Sequence, residues 1–288
     1  MTKHLPDPRR NAYREDLAAK ELEGVVDAGG FSEGELQQIV AQSTGFRATP
    51  DKQAPLVTEG LFGETVKIFE QNSEWSWGQL QRDGYVGYLA TEDLTHELTS
   101  STHFVSAPCT FVFSQPDIKS QPALMLSLNS NVQVTDEDGN FLRIGKIGFI
   151  YKRHLSASGE RASDYVSIAE KFCGTPYLWG GCQRMGIDCS GLVQMSMMSA
   201  GIRAPRDSDM QEEELGEIIE GSGARKILKR GDLVFWSGHV GIMCNGQDMV
   251  HANAFHMSTE IEPLDLAIVR IRQSGKQVSS FRRLSLYG

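Results

Sequence analysis

The chain has 288 residues, 40% of them hydrophobic and 23% charged, with a formal net charge of −9 at neutral pH. That length exceeds one small core and fits two or three domains of ordinary soluble composition. The acidic balance, with no Lys/Arg cluster beyond residues 226–230, argues against a nucleic-acid partner, because counterion release needs a basic face.

Residues 1–16 (MTKHLPDPRRNAYRED) are polar throughout and lack the apolar stretch of a secretory signal, and no run of about 20 apolar residues follows. The expectation is a cytoplasmic protein with no membrane partner. Five cysteines, Cys109, Cys173, Cys182, Cys189 and Cys244, are an odd number in a chain long enough to fold without staples. That usage predicts a reducing compartment and no structural disulfide.

In residues 14–26, Leu17, Leu22, Val25 and Val26 recur amid charges, which predicts an amphipathic helix stopped by Gly29 and Gly30 within an N-terminal helical segment, 1–42. The pattern then changes to short apolar runs at 54–61, 65–69, 75–80 and 85–89, separated by turn residues, the signature of a small antiparallel barrel over 43–98. A second stretch of the same kind, with runs at 110–113, 123–126, 131–134, 141–143 and 146–151, predicts a second barrel over 103–155, with a hairpin turn at Asp138-Gly139-Asn140. Residues 82–89 (RDGYVGYL) and 143–151 (RIGKIGFIY) share a glycine-glycine-aromatic rhythm that suggests duplication.

From 156 to 288 the pattern is mixed. Tyr165, Ile168, Ala169 and Phe172 form a helix face, a second helix starts at Asp188, and strands are expected at 233–236, 239–243, 249–252 and 268–271. The overall class is α+β: two small β-barrels followed by a mixed domain.

The chemistry gathers around Cys189. Asp188 is the candidate N-cap and Cys189 the first helical residue, where unpaired N–H groups and the helix dipole lower a thiol pKa and can stabilise an oxyanion. A free cysteine is most often a small buried apolar side chain, and Cys109, Cys173 and Cys244 read that way, with Cys182 less settled. His239 and His251 flank a turn around Asn245-Gly246. A two-residue loop would put them on opposite faces, whereas a three-residue loop, Cys244-Asn245-Gly246 with Gly246 left-handed, sets them directly opposite each other. The second register is predicted, making His239 the general base for Cys189 and His251 its orienting partner, a role Asn253 can share. Cysteine separations of nine and seven residues do not suit structural zinc, so neither metal nor cofactor is expected.

The motifs TPYLWGG (175–181), DCSGLV (188–193), PRDSDMQ (205–211), RGDLVFW (230–236), GHVGI (238–242) and VHAN (250–253) together resemble the NlpC-type family of bacterial cell-wall cysteine peptidases. The resemblance implies a pared-down papain-like fold and the catalytic set Cys189, His239 and His251. The upstream barrels look like bacterial Src-homology-3-type domains, and this pairing resembles the γ-D-glutamyl-L-diamino acid endopeptidases that recycle murein stem peptides bearing a free N-terminal L-alanine. Carried over by motif, Asp207 would receive the substrate ammonium and Tyr85 would contact the same amine. Ser190 and Ser208 would bond the D-glutamyl carboxylate, and Glu59 and Glu64 are both candidates for a further carboxylate near the amine. The resemblance leaves two other readings standing: a thiol amidase or acyltransferase on another small amide, and a non-catalytic wall-peptide-binding module. It is silent on oligomeric state.

Overall fold

Alternation of apolar and polar residues in the first half of the chain builds strands whose buried sides face one another. In a computed structural model, which describes residues 5–221 and 223–285, the chain divides into two compact units between Gly159 and Glu160. Residues 1–4 and 286–288, at the outer ends of the segments expected over 1–42 and 156–288, lie outside the described residues.

In the first unit, strands β1 (Glu35–Ile39), β2 (Ser43–Arg47), β3 (Leu56–Leu61), β4 (Thr65–Gln71), β5 (Trp75–Leu80), β6 (Val86–Ala90) and β7 (Leu94–Thr95) form an antiparallel sheet in the order β3-β2-β6-β5-β4-β1-β7. Ile39, Phe46, Val66, Ile68, Leu80 and Leu89 are its core. Because β1 pairs with β4, the sheet begins before residue 43, earlier than expected.

The helix expected over 14–26 does not form; that stretch holds only a 3-10 turn at Lys20–Leu22 and a two-residue strand. Its apolar residues serve tertiary packing instead. Leu17, Ala19 and Leu22 lie against Phe69 and Trp77, and the Arg14 guanidinium sits 4.3 Å from the Trp77 ring centre. Stacking of this kind outweighs the weak helix propensity of a short segment.

Strands β8 (His103–Val105), β9 (Cys109–Phe113), β10 (Pro122–Ser127), β11 (Asn131–Val132), β12 (Val134–Asp138), β13 (Phe141–Ile144), β14 (Gly148–Tyr151) and β15 (Leu155–Ala157) complete the first unit. Five of them run in the order β10-β9-β14-β13-β12, and the others form β11-β8-β15. The five-strand order repeats β3-β2-β6-β5-β4: a hairpin, then a meander whose last strand returns to the first. The glycine-aromatic rhythm at 82–89 and 143–151 therefore falls on equivalent strands, β6 and β14. Phe62 leaves the first sheet and joins the second core with Val105, Val112, Leu126 and Ile150. At that junction Gly63 has φ of 79°, and a Cβ there would lie 2.1 Å from the Asn131 carbonyl oxygen.

The second unit begins with α1 (Tyr165–Glu170), capped by Asp164, followed by α2 (Cys189–Ser199) and α3 (Ser208–Glu214). Strands β16 (Leu233–Trp236), β17 (His239–Met243), β18 (Asp248–Asn253) and β19 (Ser258–Pro263) lead into α4 (Leu264–Gln273) and β20 (Val278–Arg283). The antiparallel order is a two-residue strand at Glu217–Ile218, then β20-β16-β17-β18-β19. Helix α2, buried along almost its whole length, lies against α1, β17 and β18.

One expected strand is a helix. Residues 268–271 belong to α4, because Leu264, Ala267, Ile268 and Ile271 follow a helical spacing that packs them with Trp236 and Met249. The sheet strand in this region is β20.

Candidate active site

The start of α2 is fixed by one carboxylate. Asp188 Oδ1 accepts the Gly191 N–H at 2.7 Å, an N-cap bond, while Oδ2 accepts the Gly180 N–H at 2.8 Å. Arg206, 1% exposed, clamps the same carboxylate through Nη1 at 3.0 Å and Nη2 at 2.7 Å. Gln211 ties the Ser190 and Pro205 carbonyls together with bonds of 2.9 and 2.8 Å. Sequence spacing foresaw the cap, but not Arg206 behind it.

Cys189 is the first residue of α2 and is 7% exposed. Backbone N–H groups of Val240 and Ser190 bond its sulfur and favour thiolate, yet burial and the nearby Asp188 charge push the thiol up to about 12. This corrects the expectation of a lowered thiol pKa: desolvation outweighs the dipole. Of the first-turn N–H groups, that of Gly191 is already taken by Asp188. Tyr177 is close enough to feel charge on Cys189, and its phenol is raised mainly by burial.

The histidines meet, but not in the predicted register. Strand β17 pairs with β18 through Ile242 with Val250 and Met243 with Met249, and the Cys244 N–H bonds the Asp248 carbonyl at 2.8 Å. The three-residue loop is thus Asn245-Gly246-Gln247. Asn245 Oδ1 fixes it by accepting the Gln247 and Asp248 N–H groups at 2.7 and 2.9 Å. Gly246 is not left-handed. Carried along the strands, this register sets residue 251 across from Gly241, so His239 and His251 share a face as diagonal neighbours. Their rings still touch: Nε2 of His239 is 2.8 Å from Nδ1 of His251.

Behind them stands a carboxylate that sequence reasoning missed. Glu262 on β19 places Oε1 2.7 Å from His251 Nε2. Arg270 on α4 bonds both Glu262 oxygens, with Nη1 to Oε2 at 2.6 Å. Burial opposes ionisation of Glu262, but the bonds from Arg270 and His251 prevail and hold it at about 2. Burial, then the charges of His251, Lys276 and Arg270, lower His239 to about 3. His251 is lowered too, by burial working against the Glu262 bond. His256 lies near enough to share a cation with His251 and Glu262, but Arg270 already occupies that carboxylate. No sequence signal marked Glu262, since Arg270 lay in a segment read as a strand.

The remaining candidates divide. Asp207 precedes α3 and is half-buried beside Arg206; its side chain does not cap that helix, and Ser208 is the first helical residue. Ser190 is committed internally, accepting from Arg206 at 2.9 Å and donating to Asp188 at 3.3 Å. This leaves its hydroxyl engaged rather than presented to a substrate carboxylate. In the first unit Tyr85 is buried, as are Glu59 and Glu64, so neither glutamate faces water. Glu64 forms a buried pair with Arg82 at 2.9 Å and accepts the Leu61 N–H at 2.8 Å. Asn253 Nδ2 is 3.1 Å from His251 Nε2.

Residues 174–274 match the NlpC/P60 family, and residues 46–94 match the family described as the bacterial dipeptidyl-peptidase Sh3 domain. The chain is 31% identical over 134 residues to a probable endopeptidase NlpC homolog of Haemophilus influenzae, covering 45% of this chain and 70% of that one. It is 26% identical over 242 residues to a Bacillus cereus protein named gamma-D-glutamyl-L-lysine dipeptidyl-peptidase, covering 73% and 71%. The fold is similar to that of an NlpC/P60 family protein from Bacillus cereus, with a TM-score of 0.73 at 21% identity over 86% of this chain and 99% of the other.

Proposed function

The chain belongs to the NlpC/P60 family and is a cysteine peptidase, and on that premise we propose that it hydrolyses the bond between γ-D-glutamate and the following diamino acid in murein stem peptides. The observation that carries this reading is the contact of His239 with His251 at 2.8 Å, on the strand whose Val240 N–H reaches the Cys189 sulfur.

In the proposed reaction the thiol proton passes to His239 as sulfur attacks the γ-glutamyl carbonyl, forming a tetrahedral oxyanion. His239 returns that proton to the departing amine, leaving a thioester. Water, deprotonated by His239, then releases the acid and the free thiol. Because burial disfavours a lone thiolate and a lone imidazolium alike, the resting pair is neutral, and charge appears on both partners together, where each stabilises the other.

The choice of bond rests on the Bacillus cereus relative, whose name specifies γ-D-glutamyl-L-lysine. Diaminopimelate in place of lysine belongs to the same proposal. Asp207 is the proposed partner of the substrate's free N-terminal ammonium, supported by its position at the start of α3 beside the buried Arg206. We read the module expected over 103–155 as a second barrel of the Src-homology-3 type, on the strength of its repeated strand order. No disulfide joins the five cysteines among the described residues, which suits a reducing compartment, so recycling of released peptides in the cytoplasm is part of the reading.

Cleavage of L-Ala-γ-D-Glu-L-Lys and its diaminopimelate counterpart, each free and N-acetylated, tests this. Loss of a charge-assisted bond predicts that acetylation lowers kcat/KM roughly 10- to 100-fold, and that Asp207→Asn erases the difference. Equal rates on free and acetylated peptides would overturn the amine recognition and favour a broader amidase.

A further inference from the structure

We propose that Glu262, clamped by Arg270, is a positioning residue that fixes the tautomers of His251 and His239 together, an inference that rests on the thiol mechanism proposed above. A carboxylate held ionised by a guanidinium can only accept. The 2.7 Å contact from Glu262 Oε1 therefore puts the His251 proton on Nε2. His251 Nδ1 is then a lone pair, and at 2.8 Å it must accept from His239 Nε2–H. That leaves Nδ1 of His239 as its one basic nitrogen, the atom available to the Cys189 proton. With the opposite tautomer, a His251 lone pair would face a carboxylate, and the His239 base would be blocked.

Asn253 Nδ2 also approaches His251 Nε2, at 3.1 Å, while Asn253 Oδ1 is held by the His256 N–H at 2.9 Å. The contact from Glu262 is shorter and charge-assisted, so it takes the proton. The charged and titratable groups acting on the two rings are Lys276, Arg270, Glu262 and His256, and Glu262 supplies the negative charge among them that raises the basicity of both rings. Arg270 keeps both oxygens in place from α4, which lets β19 deliver a carboxylate of fixed orientation.

The test is the ¹⁵N imidazole spectrum of histidine-labelled full-length protein at neutral pH, together with kinetics of Glu262→Ala and Glu262→Gln. The expected spectrum has His239 and His251 both protonated on Nε2, with the pattern for His251 lost in Glu262→Ala. Glu262→Ala should lower kcat about 10- to 100-fold with KM nearly unchanged, as for an outer partner of a catalytic imidazole. Glu262→Gln, which still accepts through its amide oxygen, should recover most of kcat. In both variants the acid limb of kcat/KM should move to lower pH, since the carboxylate that favours the protonated rings is gone. A wild-type His251 protonated on Nδ1, or a folded Glu262→Ala with unchanged kcat, overturns the inference. If Glu262→Ala does not fold, the wild-type spectrum and Glu262→Gln decide. A wild-type protein that shows the expected tautomers yet cuts no stem peptide would sink the proposed substrate and leave this inference standing.

Discussion

Carried one residue past the Ile242–Val250 pair, the β17–β18 register sets His251 across from Gly241, yet His251 Nδ1 is 2.8 Å from Nε2 of His239, two residues along the neighbouring strand. The pair is diagonal. Glycine at 241 leaves no side chain in the directly opposed position, and Glu262 holds the far side of the His251 ring. If His251 orients the base, His251→Ala should lower kcat by about 10³-fold with KM little changed, by analogy with other orienting residues. Steady-state kinetics on a stem peptide would measure it; a change below threefold would reduce His251 to a packing role.

Arg206 and Asp188 form a bidentate pair buried beneath the start of α2. Removing one partner strands a buried charge, which typically costs about 3–5 kcal/mol. Arg206→Ala should therefore lose that much stability by urea denaturation, and an Asp188→Ala, Arg206→Ala double variant should lose less than the two single losses combined. Additive losses would show that the two residues act independently.

Glycine within a helix ordinarily costs about 1 kcal/mol relative to alanine. Gly191 should show the reverse. A Cβ there would sit 2.4 Å from the Gly181 carbonyl oxygen and 3.0 Å from Asp188 Oδ1, so the helix start must shift and carry Cys189 with it. Gly191→Ala is expected to lower both the melting temperature and kcat; a more stable variant with full activity would contradict the close approach.

Stability should fall as the solution is acidified. Burial holds His239 at about 3 in the folded protein against 6.5 ordinarily, so between those values the unfolded chain binds a proton that the folded chain refuses. His239 stabilisation is therefore complete above 6.5 and is lost as pH drops through that window, and Glu262, held at about 2 against 4.5, adds a loss of the same sign lower down. The urea midpoint should drop between pH 7 and pH 5, and by less in His239→Gln. Equal drops in both proteins would show that His239 is not the group responsible.

Much of the site could be read from local chemistry. Asp188 before Cys189 announced a capped helix, and odd numbering of both histidines put them on one face of any hairpin with a three-residue loop. The register was off because Asn245 bonds two N–H groups with its side chain and moves the loop by one residue, a choice backbone pattern alone does not reveal. Glu262 and Arg270 were missed for a related reason: the Ile268–Ile271 run has the composition of a strand, and only its packing on Trp236 and Met249 makes it a helix. The N-terminal segment was misread in the opposite sense, since a cation stacked on Trp77 is a tertiary fact.

In the proposed reaction Cys189 attacks the γ-D-glutamyl carbonyl. Mass spectrometry of the products from L-Ala-γ-D-Glu-L-Lys and L-Ala-γ-D-Glu-diaminopimelate, with wild-type protein and Cys189→Ala side by side, decides whether it does. The wild type should release L-Ala-D-Glu and the free diamino acid, with a rate at least about 10³-fold lower in the variant. Uncut peptides, a different scissile bond, or equal rates from the two proteins would contradict it.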